Sequence, residues 1–336
     1  MKNFERSRAR VVRLLTAMTL FVTLGLGWAR PQLQMTQQVV AWGDLKYDVS
    51  LNTSGLAGSS KGLAQIATGD FHSLALQQDG SVVAWGDNKF GQTSLPVTIQ
   101  NRFVSEVAAG NIHSLALLAD GTVVGWGPAP GQYGDYGQCT VPAGLGPVLR
   151  LSAGAVHSLA LKSDGTVSAW GANLNGQCNV PVGLDNVVAV AGGMYHSMAL
   201  KADGTVVAWG DNRHGQTAVP PDLSQVVAIA AGGFHNLALL ADGTVVTWGT
   251  YGLAQCNSPA GLTNVIAIAT GDYHSLALKQ DGTVIVWGFN TAGQCDMPGR
   301  LTNVVAIAAR GNHSMVLIRQ PVQPARTRPT GPAGQH

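Results

Sequence analysis

From residue 38 to about 318 the chain alternates short runs of Val, Ile, Leu and Ala with Gly pairs and Asp-Gly steps. The segment "VVAIAAGGFHNLALLADGTVVTWG" (226–249) holds three such runs, each with a period-2 tendency. That period belongs to short strands, and no segment after residue 30 keeps a 3.6 period over ten residues. Asp-Gly between apolar runs predicts hairpins closed by type I′ turns. It recurs at Asp79-Gly80, Asp120-Gly121, Asp164-Gly165, Asp203-Gly204, Asp242-Gly243 and Asp281-Gly282. A fourth, weaker strand is expected after the Gly-Gln pairs, as in "GQTAVP" (215–220).

The elements repeat. His72, His113, His157, His196, His235, His274 and His313 are separated by 39 to 44 residues, as are Trp42, Trp85, Trp126, Trp170, Trp209, Trp248 and Trp287. The first Trp has no His before it and the last His has no Trp after it. A unit cut at both chain ends is what a closed ring leaves. The predicted fold is therefore all-β: a seven-bladed β-propeller over residues 30–318, closed by pairing Gln38–Gly43 with Val304–Leu317. Small side chains such as Ala228, Ala230 and Ala231 suit a first strand crowded near the axis.

The pattern "AxGxxHSLALxxDGTVxxWGxNxxGQ" resembles the regulator-of-chromosome-condensation repeat family, over about residues 38–318. The resemblance implies a seven-bladed propeller that binds protein partners. The 39-residue spacing and the "GQTxVP" tails are similar to bacterial secreted members, one of which caps β-lactamases. It also brings guanine-nucleotide exchange into view, a poor fit to an exported chain.

The ends differ in kind from the repeats. Lys2, Arg6, Arg8, Arg10 and Arg13 precede an apolar stretch, Leu14–Trp28, and small residues follow, so residues 1–29 read as a signal peptide. Fifteen apolar residues fall short of the ~20 that span a bilayer. This predicts a secreted, periplasmic or cell-surface protein without stable membrane insertion. Residues 319–336, rich in Pro and Arg, read as a disordered tail. The chain carries +2 overall; setting aside the ends, at +4 and +3, leaves the repeat body at −5. An acidic body lacks the basic stripe that neutralises phosphates, so nucleic acid is not an expected partner.

Candidate chemistry is sparse. Equivalent positions on neighbouring blades lie roughly 10 Å apart, too far for the His ring to share a metal ion. The imidazoles are expected to bond backbone groups and pin the first hairpin, and the tryptophans to fill the wedges between blades. Cys139, Cys178, Cys256 and Cys295 share a slot with Thr93 and Thr217, which marks a small packed residue rather than disulfides. No cofactor is implied, and a monomer is expected.

The unrepeated residues point to binding. The loops between strands one and two, and after strand three, must leave the barrel at one end. Of eleven Phe and Tyr beyond the signal, ten fall there, Tyr47 among them; only Phe103 lies elsewhere. The candidate partner-binding set is Phe71, Phe90, Tyr133, Asp135, Tyr136, Tyr195, Phe234, Tyr251, Tyr273 and Phe289. Blade two adds an insertion, "GPAPGQYGDYGQ" (127–138), suited to specificity. The leading reading is a secreted, non-catalytic propeller that caps a protein partner, with enzyme inhibition as one form of capping. The alternative is an enzyme acting on polysaccharide or cell-wall material, for which Asp135, Glu106, Asp70, Asp272 and His214 are the available groups.

Overall fold

Seven three-stranded antiparallel sheets make up the protein in a computed structural model that describes residues 35–44, 62–250, 252 and 254–321. The one helical turn among these residues is a 3-10 turn at Val97–Ile99. Six blades follow chain order; blade four, for example, is built from Val187–Gly192, His196–Lys201 and Val206–Gly210. The seventh pairs Met35–Gly43 with His313–Pro321 and that strand with Val304–Arg310. This is the split blade the offset of the His and Trp series required. Its C-terminal strand runs to Pro321, three residues into the segment read as tail. Residues 1–34 and 322–336, and with them the signal peptide and the rest of the tail, lie outside the described residues, as do Tyr47 and Tyr251.

The middle strand of each blade is the core. Its "HSLAL"-type residues are almost wholly buried, whereas the first strands, buried at their two ends and partly open between, lie side by side in a closed ring around the axis. Each first strand shifts register after its opening residue, and the bulged residue is exposed, as at Leu149, Val188, Val227, Ile266 and Val305.

Two sequence expectations are corrected. The Asp-Gly hairpins are not type I′ turns: only the glycine takes positive φ, +84° at Gly204 and +82° at Gly243. In blade one Gly80 N–H donates to Gln77 O at 3.0 Å and Gln77 N–H to Ser81 O at 2.8 Å, a type I turn followed by a bulge on glycine. The aspartate supports it from the side, since Asp242 Oδ1 accepts the Thr244 N–H at 2.9 Å. Nor is there a fourth strand in any blade among the described residues. "GQTAVP" forms successive turns, closed by Ala218 N–H donating to Gly215 O at 3.1 Å. Its proline leaves no run of donors for a ladder.

The tryptophans fill the wedges. Trp209 packs with Leu159 and Leu161 of blade three, Trp248 with Met198 and Leu200 of blade four, and Trp85 with Met315 and Leu317 of blade seven. Burying a ring of about 200 Å² contributes roughly 5 kcal/mol per blade as an upper estimate.

Polar stitching runs along the same wedges. His196 Nε2 donates to Asn236 Oδ1 of blade five at 2.7 Å, and Asn236 Nδ2 donates to Gln216 O, on the loop leaving blade four, at 2.7 Å. Trp248 Nε1 donates to that carbonyl too, at 3.2 Å. Elsewhere serine takes the place of Asn236: His157 Nε2 meets Ser197 Oγ at 2.9 Å, and Ser197 donates to Gln177 O at 2.8 Å. A serine hydroxyl has one proton, already given to the glutamine carbonyl, so the imidazole must carry its hydrogen on Nε2. The histidines thus bond the next blade's side chain, not backbone groups of their own hairpin, as the sequence reading had it. The other nitrogen, Nδ1, lies bare against a glycine: a Cβ on Gly154 would come within 2.1 Å of the His157 ring. That close approach is why glycine precedes each His by three residues in blades one to six.

The four cysteines are free and half-buried. Cys178 Sγ lies 3.2 Å from Ala172 O, and burial pushes its thiol up to about 11 and that of Cys139 up to about 12.

Candidate functional site

Antiparallel pairing sends every strand-one-to-two turn, and every loop leaving strand three, to one end of the barrel. Backbone bonds tie the two sets together there: Asp87 N–H donates to Phe71 O at 2.8 Å, Ala172 N–H to Val156 O at 2.9 Å and Asp211 N–H to Tyr195 O at 2.9 Å. This histidine end carries the candidate aromatics, in two groups.

One group centres on blade two. Its insertion is held by Asp135, whose Oδ2 and Oδ1 each accept a backbone N–H, from Gly131 and Gly137, at 2.9 Å. These bonds hold the half-buried Asp135 carboxyl below the usual range. The carboxylate is therefore a loop brace. Tyr133 stands 88% exposed and Tyr136 51%, and Phe90 lies 6.4 Å from Tyr133 with Lys89 over its ring at 5.6 Å. Leu174, on the corresponding loop of blade three, is 91% exposed. The sequence reading, which counted only aromatics, missed it; its place two residues before Gly176-Gln177 was the available signal.

The second group is a stack across blades four to six. His214 meets Phe234 edge-on at 5.1 Å, Phe234 stacks on Tyr273 at 5.6 Å, and Tyr273 meets Phe289 edge-on at 6.0 Å. Phe234 is buried and Tyr273 and Phe289 half-buried, as are Phe71 and Tyr195. The stacked rings bridge neighbouring blades and leave at most part of their surface to solvent.

At the axis lies a cluster that sequence reasoning did not assemble. Arg310 stands in blade seven where the first six blades have the glycine beside the histidine. Its side chain crosses the ring: Nη1 donates to Ala153 O of blade three at 3.0 Å, and Nε pairs with Asp70 of blade one at 3.1 Å. Asp272, from blade six, completes the group; its backbone N–H donates to Gly311 O at 2.9 Å. Burial raises both carboxyls against the pull of Arg310, Asp272 to about 7 with the Asp70 charge adding to the effect. "AARGNH" against "ATGDYH" was the legible sign of this departure.

Of the other ionisable candidates, Glu106 sits on the first strand of blade two, where burial pushes it up to about 7 beside Arg150. The His214 ring belongs to the aromatic stack. Two surface hollows, one lined by Pro220–Gln225 and Asp242, the other by Asp79, Arg102 and Phe103, open at the opposite, hairpin end.

Residues 46–316 match the RCC1-like domain family. The fold is similar to that of Prp20p from Saccharomyces cerevisiae, at 21% identity over 84% of this chain and 91% of that one, with a TM-score of 0.69. Human WBSCR16 is similar at 22% identity over 84% and 99% of the two chains, with a TM-score of 0.69. The CRINKLY ectodomain of the Arabidopsis thaliana receptor kinase ACR4 shares 22% identity over 74% of this chain and 90% of that one, with a TM-score of 0.57. No curated protein sequence matches the chain.

Proposed function

This chain belongs to the RCC1-like domain family, and from that premise we propose that it is an exported, non-catalytic binding module whose histidine-end rim caps a protein partner. The observation that carries the reading is the blade-two insertion, an internally braced loop that holds Tyr133 and Tyr136 out in solvent, Tyr133 beside Phe90, with Leu174 exposed on the corresponding loop of blade three. Exposed aromatics on a rigid loop are what protein interfaces use as anchors. Two relatives lend support: Prp20p has binding properties to Gsp1p and histones, and the ACR4 domain is an ectodomain. Export rests on the signal-like residues 1–29. Capping a secreted enzyme, and so inhibiting it, is the specific form we favour.

The test is capture from the producing cell's own culture medium. Tyr133→Ala with Tyr136→Ala is expected to weaken capture about thirtyfold, the loss of an anchor worth about 2 kcal/mol, and to leave melting nearly unchanged. Asp242→Asn, at the hairpin end, is expected to leave capture intact. The reverse outcome would place the binding face at the wrong end.

A further inference from the structure

The third residue of each first strand is Gln65, Glu106 or Arg150 in blades one to three, and alanine in the others, at Ala189, Ala228, Ala267 and Ala306. Gln65 ties blade one to blade two: its Nε2 donates to Val107 O at 3.0 Å and its Oε1 accepts the Val107 N–H at 3.0 Å. Both backbone groups of Val107 are thus taken by one side chain of the preceding blade. Glu106 is placed to do the same one blade further on. Leu151 is the counterpart of Val107 in blade three, paired with Ala160 as Val107 is with Ala116. Its N–H bonds the Glu106 carboxyl. The second bond of the pair is missing, because Glu106 Oε2 is buried and makes no hydrogen bond among the described residues. An ionised carboxyl has no donor with which to make it.

We propose that Glu106 carries a proton and clamps blade two to blade three as Gln65 clamps blade one to blade two, accepting the Leu151 N–H and donating Oε2–H to Leu151 O, and that loss of this proton opens the clamp. A protonated carboxyl presents a donor and an acceptor side by side, the same pair that a glutamine amide presents. Ionised, it sets a buried negative oxygen against a carbonyl and leaves both unsatisfied. The strands packed against Glu106 offer it no ion pair. Arg150, on the first strand of blade three, is exposed and turns its Nη1 donor to Leu149 O at 3.0 Å, so it draws the carboxyl down only in part. His72, on the middle strand of blade one, and His113, beside the middle strand of blade two, are both held neutral by burial. Burial of Glu106 itself favours the neutral acid and pushes the carboxyl up to about 7. That folded value lies above the ordinary 4.5, so the clamp contributes fully below 4.5 and is lost as pH rises to about 7.

Glu106→Gln in the full chain makes the clamp permanent, since an amide keeps both bonds and has no proton to lose. Urea unfolding of the two chains is compared from about pH 5.5 to 9. The unfolding constant of the unaltered chain, divided by that of Glu106→Gln, is expected to rise about tenfold per pH unit up to about pH 7 and to stay level above it. NMR locates the effect. In the unaltered chain the Leu151 amide nitrogen and carbonyl carbon are both expected to titrate with a midpoint of about 7, and in Glu106→Gln neither is. A ratio that stays flat over the whole range, or a Leu151 carbonyl that is silent while its amide titrates, would overturn the proposal. Should Glu106→Gln fail to fold, carbon-13 titration of the Glu106 carboxyl in the unaltered chain decides. A midpoint of about 7 shared with the Leu151 carbonyl supports the clamp, and a midpoint near the ordinary 4.5 or a Leu151 carbonyl that does not follow overturns it.

Discussion

A histidine with one nitrogen donating and the other against bare glycine has a definite task. It joins its blade to the next, and Asn236 in blade five shows the direction, because an amide oxygen can only accept. His235→Ala is expected to leave the Ser275 hydroxyl short of a donor, at a cost of about 1–3 kcal/mol with a cavity cost in addition. Asn236→Ser, which installs the residue six other blades use, is expected to change stability by less than about 1 kcal/mol. Urea unfolding of the two variants checks both, and equal losses would contradict the assigned donor and acceptor roles. The sequence announced the histidines but not their partners. The Ser that follows each His is the acceptor of the His one blade earlier, about 40 residues away, and a repeat read one unit at a time hides a bond that runs between units.

The same limit governs the elements. Three strands per blade were legible from alternation and Asp-Gly steps, and the split blade from the offset series. The turn type was not, because Asp-Gly serves both the two-residue turn and the longer turn with a glycine bulge. Either way the glycine is required. At φ +82° Gly243 would bring a Cβ to 3.3 Å from the Asn264 backbone, so Gly243→Ala is expected to cost about 1 kcal/mol or more. The closing joint is the irregular element. His313 Nε2 and Ser73 Oγ, the seventh pair in the series, form no hydrogen bond among the described residues. The buried Arg310–Asp70 pair spans that same joint between blades seven and one. Arg310→Met is expected to cost about 3–5 kcal/mol by stranding Asp70, and adding Asp70→Asn to recover part of the loss. Melting temperatures of the single and double variants test this; a double variant no better than the single would show that the ion pair does not tie the joint.

At the scale of the whole molecule, six histidine-stitched joints and the buried imidazole of His313 at the seventh make the propeller acid-sensitive. Burial holds the histidines far below the ordinary 6.5, to about 3 at His72, His157, His235 and His274, to about 4 at His196 and His313, and well down at His113. Their folded values are depressed, so their contribution is complete above the unfolded value and is lost as pH falls below it. Asp70, Asp272 and Glu106 act the other way: burial raises them, Asp272 and Glu106 to about 7, so their contribution fades as pH rises toward that value. The exposed hairpin aspartates, held low by Thr N–H and hydroxyl donors, matter only in stronger acid. Between about pH 4 and 6.5 the unfolded chain therefore binds roughly four to five more protons than the folded one, seven imidazoles against the two carboxyls of Asp272 and Glu106, with the raised Asp70 narrowing the difference, a slope of about 5–7 kcal/mol per pH unit. Total stability of about 5–15 kcal/mol is then exhausted within roughly one to three pH units. Stability is expected to peak at about pH 6.5–7 and the ring to unfold cooperatively between about pH 5.5 and 4. Urea midpoints across that range, with proton uptake from calorimetry in buffers of different ionisation enthalpy, read both quantities. A melting temperature that stays flat from about pH 7 to 5 would mean that the imidazoles take up protons in place, which the donor-only geometry at Nε2 and the closed glycine face at Nδ1 do not permit.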